Sequence, residues 1–259
     1  MNLLKLSVLY ASVLLFGNFL SCSSINKKNS KGNHEFVEIF DGKTLKNWKG
    51  DPKYWSVQNG SLVGTVTPET LLKNNTFIIW QGGQPENFEL KLEYRISELG
   101  NSGVNYRSML MENKLFALRG YQCDIDGKQK YTGQNYEEKK RTTLAYRGEK
   151  VIVDTQDNPS KSGGLRSNIK KNCWQTRNVV KQLGNKEDLK ANIKKGRWNK
   201  IHLIIDGNSL KHYVNGVLMS EVIDNDTINR KMNGFIGVQV HTGPPMQVEY
   251  RKIKIKKNL

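Results

Sequence analysis

Apolar and polar residues alternate along almost the whole chain, which is the pattern of half-buried β-strands. Clear examples are residues 88–94, 200–205, 234–240 and 248–253. Turn signals separate these segments, and Val214-Asn215-Gly216-Val217 is a strong hairpin signal. Helical periodicity is nearly absent, and only residues 186–194 are predicted to form one or two turns. The pattern therefore predicts an all-β sandwich or barrel built from many short strands.

Residues 35–259 contain no internal repeat and no linker, and their length fits one large all-β domain. A domain of this size buries a substantial core, so it does not require disulfide bonds. Cys123 and Cys173 are either paired, which export would permit, or buried free thiols. Residues 131–167 are polar and rich in glycine, and we interpret them as loops or insertions at the rim of a sheet.

The first 22 residues have the pattern of a bacterial signal peptide. Lys5 precedes a broken apolar run over residues 6–20, which is too short for a comfortable membrane span of roughly 20 residues. The run ends in Phe19-Leu20-Ser21-Cys22, which resembles a lipobox and predicts lipidation of Cys22. The alternative is cleavage near Ser23 and Ser24, with Cys22 incidental. Residues 23–34 are polar and suit a flexible tether.

These features predict an exported, membrane-anchored lipoprotein of the periplasm, outer membrane or cell surface. The chain has 41 basic and 24 acidic residues and a net charge of +17. Because most cations are lysines spread along the chain, we interpret them first as a solvated basic surface and second as an attraction to anionic glycan or lipid surfaces. An exported protein meets little nucleic acid, so no nucleic-acid partner is predicted.

Polar side chains that recur on the wet faces of three strands are the candidates for a binding surface. They are Asn105 and Arg107 in the first strand, Gln122, Asp124 and Asp126 in the second, and Gln239 and His241 in the third. Planar amides, a guanidinium group, carboxylates and an imidazole match the hydroxyl groups of sugars. The sequence therefore predicts a carbohydrate as the ligand.

Metal-ligand spacing is absent, because the four histidines form no motif such as H-E-x-x-H. Asp124 and Asp126 leave calcium as an alternative, since carboxylate oxygens are its preferred ligands. No phosphate-binding loop or nucleophile elbow occurs in the sequence. We therefore predict that the protein uses no cofactor, and bound calcium is the alternative.

Short motifs follow one another in the order and spacing of a known family. They are Phe40-Asp41-Gly42-Lys43-Thr44-Leu45, Trp48, Trp55-Ser56-Val57-Gln58-Asn59-Gly60, Asn101-Ser102-Gly103, Gly120-Tyr121-Gln122, Asn215-Gly216 and Gly237-Val238-Gln239-Val240-His241. From about Phe36 to its C-terminus, the chain resembles the 3-keto-disaccharide hydrolase domain of exported bacterial proteins. This resemblance implies a concanavalin A-like jelly roll, a β-sandwich of two antiparallel sheets.

The resemblance also implies an activity on glycosides whose C3 hydroxyl has been oxidised to a ketone. A C3 carbonyl acidifies the hydrogen on C2, so a base can remove it and the group at C1 can leave. Addition of water would then give net hydrolysis. A base with a pKa near neutral and a donor at the enolate oxygen suit this reaction.

His241 is the predicted base, and Asp124 is the second predicted catalytic group, which either orients the imidazole or acts itself. The commoner family pattern resembles Gly-Tyr-Glu-x-Gln. In this chain the amide Gln122 stands at the position of the acid, and the acid Asp124 stands at the position of the amide. The other predicted substrate-binding residues, some of them on a loop that would form a lid, are Asn105, Arg107, Gln122, Asp126, Tyr136, Glu138, Arg141 and Gln239.

Two alternatives to the enzyme remain. A non-catalytic glycan-binding lipoprotein would use the same sheet face, because lectins share this jelly roll and a fold does not fix a function. An electrostatic adhesion or scaffold protein would depend on the charge alone.

Overall fold

The alternating segments form strands in the computed structural model, which describes residues 35–155 and 177–257. The first strands are β1 (Val37–Glu38), β2 (Trp48–Lys49), β3 (Trp55–Gln58), β4 (Ser61–Val66), β5 (Thr76–Trp80), β6 (Phe88–Ile96), β7 (Asn101–Leu110), β8 (Leu118–Asp126) and β9 (Asn135–Glu138). The remaining strands are β10 (Thr142–Ala145), β11 (Glu149–Val153), β12 (Arg177–Gln182), β13 (Asn199–Asp206), β14 (Ser209–Val214), β15 (Val217–Asp224), β16 (Phe235–Val240) and β17 (Met246–Lys257). A 3₁₀ turn (Pro68–Thr70) precedes β5, and the helix α1 (Lys186–Ala191) lies within the short helical segment that the sequence predicts.

The strands form two sheets. The large sheet has the order β12-β11-β15-β14-β13-β6-β17-β4-β3, with β1 paired to β17. The small sheet has the order β10-β9-β8-β7-β16-β5-β2. The predicted hairpin is confirmed, since Asn215 and Gly216 join β14 to β15 with positive φ angles of 50° and 85°. Both residue types tolerate that backbone region, as a two-residue hairpin turn requires.

The core lies between the two sheets and is built from the apolar face of each strand. In β6 the residues Phe88, Leu90, Leu92 and Tyr94 are buried, whereas the residues between them are half-buried or exposed. Tyr106 of β7 stacks on Tyr121 of β8, with 5.5 Å between ring centroids. Period-two burial therefore fixes which side chains each sheet presents away from the core.

The predicted all-β sandwich of two sheets is confirmed, and two of its details differ from the expectation. The predicted sandwich has only antiparallel sheets, but β11 pairs with β15 in parallel, from Glu149 beside Ser220 to Val153 beside Asp224. The chain leaves the small sheet after β10 and enters the large sheet as β11, which lies between β12 and β15 and runs in the direction of β15. Residues 131–167 are also not simply loops, because β9, β10 and β11 all lie within them.

Some sequence predictions fall on residues that the structure does not describe. The signal peptide, Cys22, the tether over residues 23–34 and Cys173 lie outside the described residues. Cys123 is fully buried, and the desolvation raises the pKa of its thiol. Within residues 35–155 and 177–257, no helix is long and apolar enough to cross a membrane.

Arg107 does not contribute to a binding surface, contrary to the prediction. A bulge between Tyr106 and Met109, where Arg107 has a φ of 44°, removes its side chain from the face of Asn105. Its guanidinium is buried and donates to the carbonyl oxygens of Glu86 at 2.8 Å and Gly207 at 2.7 Å. Arg107 therefore ties the bulge to two loops of the large sheet.

Arg141 is likewise a structural residue and not part of a lid. Its fully buried guanidinium pairs with Glu137 at 2.5 Å, Asp224 at 2.6 Å and Asp226 at 3.2 Å. It thus joins the β9–β10 turn to the end of β15. A buried charge of this kind is tolerated because its partners are oppositely charged and hydrogen-bonded to it.

We expect Arg141→Leu to lower the free energy of unfolding by about 3–5 kcal/mol, because three buried carboxylates would lose their cation. The matched control is Arg95→Leu, since Arg95 pairs with Glu249 through a side chain that is 44% exposed. An exposed pair contributes about 0–1 kcal/mol. Urea denaturation at pH 7 measures both, and equal losses in the two variants would contradict the structural role of Arg141.

Candidate functional site

A cleft of about 230 Å³ opens on the face of the small sheet that points away from the core. It brings together five residues that the sequence analysis selected: Gln122, Asp124, Tyr136, Glu138 and His241. The other lining residues are Asn101, Tyr131, Gln134 and Thr143. Residues of β7, β8, β9 and β10 therefore meet at one hollow with His241, which follows β16. Only part of the predicted set converges there, since Asn105, Arg107, Asp126 and Gln239 do not line the cleft.

The strand pattern explains why these side chains converge. In β8 the residues Tyr121, Cys123 and Ile125 enter the core, which directs Gln122 and Asp124 outward. Gly103 of β7 lies opposite Asp124 in the sheet register. A Cβ atom at Gly103 would come within 2.4 Å of the Gln122 side chain. The absent side chain therefore lets Gln122 lie across β7 and reach the carboxylate of Asp124.

Two amides hold the carboxylate of Asp124. Gln122 Nε2 donates to Oδ1 at 2.6 Å, and Gln134 Nε2 donates to Oδ2 at 2.5 Å. Burial of the group outweighs these two bonds and raises the pKa of Asp124 to about 7, with Glu138 and Asp126 adding negative charge nearby. Near neutral pH, part of the Asp124 population is therefore protonated and part is ionised.

The imidazole of His241 is held in one tautomer. Its Nδ1 lies 2.5 Å from the carbonyl oxygen of Thr242, which can only accept, so Nδ1 carries the proton. In the neutral ring Nε2 then bears the lone pair. Asn75 fixes the same turn, because its Oδ1 accepts from the Thr242 amide at 3.0 Å. The geometry therefore presents a basic nitrogen beside the cleft.

Glu138 is the second carboxylate of the cleft. Asn75 Nδ2 donates to its Oε1 at 3.2 Å. Burial raises the pKa of Glu138, whereas Lys139, the Asn75 bond and the charge of His241 oppose that rise. Burial also raises the pKa of the neighbouring Tyr136 phenol. Asn75 thus connects Glu138 with the turn after His241 in a single network.

Two predicted binding residues lie below the surface of the cleft. Gln239 is fully buried, and its Nε2 donates to Gln122 Oε1 at 3.2 Å. Asn105 is also fully buried, and neither atom of its amide has a hydrogen-bond partner among the described residues. Neither residue lines the cleft. Gln239 supports Gln122, which itself contacts Asp124.

Asp126 shapes a loop and does not line the cleft, contrary to the prediction. Its carboxylate accepts from the backbone amides of Lys130, Tyr131 and Thr132 at 2.8–2.9 Å. These bonds close the loop that carries Tyr131 to the edge of the cleft. Because donors surround the carboxylates of Asp126 and Asp124, neither is arranged as a cation ligand. No group of three His, Cys, Asp or Glu side chains within residues 35–155 and 177–257 could hold a metal ion.

Sequence reasoning missed four residues of this network. Asn101 shares the outward face of Gly103, and the period-two pattern could have revealed it. Gln134 and Thr143 fall in the segment that we interpreted as loops, so no pattern assigned them a face. Asn75 precedes β5 and contacts Glu138 across 63 residues of sequence. Only the three-dimensional arrangement reveals such a contact.

Comparison with known families identifies what this chain is related to. A family model described as the 3-keto-alpha-glucoside-1,2-lyase-like domain matches residues 35–256. The chain belongs to this family. The resemblance inferred from the motifs is thereby confirmed.

The chain is also similar to a curated protein of Bacteroides thetaiotaomicron named 3-keto-disaccharide hydrolase. The two are 30% identical over 86 residues, which are 30% of this chain and 29% of the relative. The chain thus matches less than a third of the length of that relative. The family and the name of the relative together indicate a function like that of a glycoside hydrolase.

Solved structures confirm the fold of the chain. A protein of Parabacteroides distasonis assigned as a glycosyl hydrolase aligns with a TM-score of 0.52 and 18% identity, over 86% of this chain and 100% of its own. A Bacillus subtilis protein with a galectin-like fold aligns with a TM-score of 0.55 and 12% identity, over 87% of this chain and 97% of its own. At these identities the likeness establishes the jelly-roll sandwich alone.

The raised pKa of Asp124 predicts how stability depends on pH. The folded state binds this proton more tightly than the unfolded chain, so stability falls as the pH rises from about 4 to about 7. Asp124→Asn removes the cost of the buried charge. Its Oδ1 can accept from Gln122, and its amide can donate to Gln134 once the Gln134 amide is flipped.

We therefore expect Asp124→Asn to raise the free energy of unfolding at pH 8 by something on the order of 1–4 kcal/mol. At pH 4 the two proteins should differ little, because Asp124 is then protonated. Urea denaturation at both pH values measures the effect. A difference that is the same at pH 4 and pH 8 would show that the carboxyl does not titrate in this way.

Proposed function

We propose that this domain cleaves the glycosidic bond of 3-keto-glycosides, such as 3-keto-disaccharides, by base-promoted chemistry at C2. The observation that carries the proposal is the pairing, in one cleft, of a buried carboxyl whose pKa is about 7 with an imidazole whose proton is held at Nδ1, so that Nε2 bears the lone pair. Family membership supports the same substrate class. Groups whose pKa lies near the working pH are the most effective general acids and bases.

The proposed reaction starts with removal of the C2 proton by Nε2 of His241. The electron pair of the C2–H bond forms an enolate with the C3 ketone, and polar donors of the cleft stabilise its oxygen. Collapse of the enolate expels the oxygen at C1, which takes a proton as the C1–O bond breaks. Water then adds at C1 and a proton returns to C2, so that the sum of the two steps is hydrolysis.

Asp124 is proposed to protonate the departing oxygen. It does not orient the imidazole, because both of its oxygens are bonded to the amides of Gln122 and Gln134 and the carbonyl of Thr242 binds His241. A carboxyl with a pKa of about 7 is still partly protonated at neutral pH and can donate. In its ionised form it can then accept a proton from the water that adds to C1.

Turnover of a 3-keto-disaccharide tests the proposal. We expect the protein to release free sugar from the oxidised substrate and none from the same disaccharide with its C3 hydroxyl intact. His241→Ala should lower kcat by about 100-fold or more, since the general base is lost. The matched control is His202→Ala, because His202 pairs with Glu89 on the outer face of the large sheet.

Elimination leaves a further signature that does not depend on the variants. A substrate with deuterium at C2 should react more slowly and should exchange this label with solvent. Turnover without a C2 isotope effect or exchange would argue for direct hydrolysis. Saturable binding without product would instead identify a glycan-binding protein.

The role of Asp124 predicts the alkaline side of the pH profile. Because the acid form donates, kcat should fall as the pH rises through about 7. Asp124→Asn should lower kcat by about 100-fold or more and remove this decline. A rate that rises through pH 7 and needs Asp124 would make this carboxylate the base and His241 the acid.

A further inference from the structure

The large sheet carries a basic surface on the face that points away from the core. Alternate residues of β6, β13, β14 and β17 are buried, which directs the side chains between them outward. We call this surface the basic face, and its cations are Lys91, Arg95, Lys200, Lys211, Arg251, Lys252, Lys254 and Lys256. It lies on the other sheet from the cleft, so the proposed chemistry does not use it.

The carboxylates on these strands do not neutralise the basic face. Glu89 is bonded to Lys256 at 2.5 Å, Glu249 to Arg95 at 2.9 Å, and Glu38 of β1 to Lys254 at 3.1 Å, while Glu93 serves both Arg251 and Lys252. Three further lysines, Lys91, Lys200 and Lys211, have no ion pair within the described part of the chain. The surface therefore keeps an excess of positive charge.

A groove of about 420 Å³ crosses the basic face. Four lysines line it, namely Lys91, Lys200, Lys252 and Lys254, together with His202, and Glu93 is its one carboxylate within the described residues. Leu92 and Ile201 also border the groove, although their side chains are buried in the core. Such a groove suits an anionic group.

Half-buried aromatic rings lie beside these cations. Trp198 is stacked against the guanidinium of Arg251 at 3.8 Å from its ring centroid, and Lys91 Nζ lies 4.1 Å from that of Phe36. Tyr213 packs against His202 with 5.7 Å between centroids. Rings of this kind, apolar on one side and wet on the other, are favoured at the interface between water and lipid.

The described chain also begins on this face. Phe36 contacts Lys91 and His202, and β1 pairs with β17 directly after it. Cys22, the cysteine predicted to be lipidated, precedes Phe36 by 14 residues. A segment of this length spans at most roughly 50 Å. A lipid on Cys22 would therefore keep the basic face within reach of the membrane that holds it.

We propose that the basic face binds an anionic phospholipid surface. Each lysine near such a surface adds roughly fivefold to the affinity, and the attraction falls with salt. Docking through this face leaves the cleft of the small sheet turned away from the lipid.

Vesicle sedimentation tests the docking with the chain from Ser23 onward, which lacks the predicted leader and contains every described strand. We expect binding to vesicles that contain 30% phosphatidylglycerol and little binding to phosphatidylcholine alone. The variant K91E/K200E/K211E should lose at least tenfold in partitioning. These lysines have no ion pair to break, and circular dichroism checks that the variant is folded.

The control variant K73E/K114E/K128E changes the net charge by the same amount. Its exposed lysines lie in loops that flank strands of the small sheet. It should partition nearly as the parent does. Equal losses in the two triple variants would show that only the net charge matters, which would overturn the proposal. Equal binding to vesicles with and without phosphatidylglycerol would also overturn it. Capture by an anionic polysaccharide, with no binding to vesicles, would overturn it as well.

Discussion

The carboxyl group of Asp124 lies between the amides of Gln122 and Gln134, and the geometry of the cleft depends on this arrangement. Each of the two glutamines makes a further hydrogen bond, Gln122 through its side chain and Gln134 through its backbone. Gln239 donates to Gln122, and the backbone carbonyl of Gln134 accepts from Nδ1 of His212, which reaches it from β14 of the opposite sheet. The packing of the two sheets is thereby transmitted to the reactive group.

His212 is suited to this task because it is buried and uncharged. Desolvation lowers its pKa to about 3, so its ring stays neutral at working pH. Tyr106 donates to Nε2 at 2.8 Å, and Asn135 donates to the Tyr106 hydroxyl at 3.0 Å. Both ring nitrogens of His212 and the Tyr106 hydroxyl are hydrogen-bonded, whereas Oδ1 of Asn135 has no partner among the described residues. The cleft is therefore supported by hydrogen bonds that cross the core.

The alternation of apolar and polar residues along the sequence predicts most of this architecture, because it assigns every strand a buried face and an outward face. It correctly directs Gln122, Asp124 and His241 to one surface. It is wrong for Arg107, because a bulge beside Tyr106 interrupts the alternation and no residue type announces it. It is also silent on Arg141, whose three buried partners are brought together only by the tertiary fold.

The residue at position 103 influences the acidity of Asp124 through Gln122. Its missing side chain is the space in which Gln122 lies, so even alanine at position 103 would push that amide aside. Asp124 would then lose one donor, which raises its proton affinity, and would gain water, which lowers it. A single methyl group at position 103, opposite Asp124 in the sheet, is thus enough to retune the acidity of the site, and related domains can diverge in their optimal conditions while every reactive group stays unchanged.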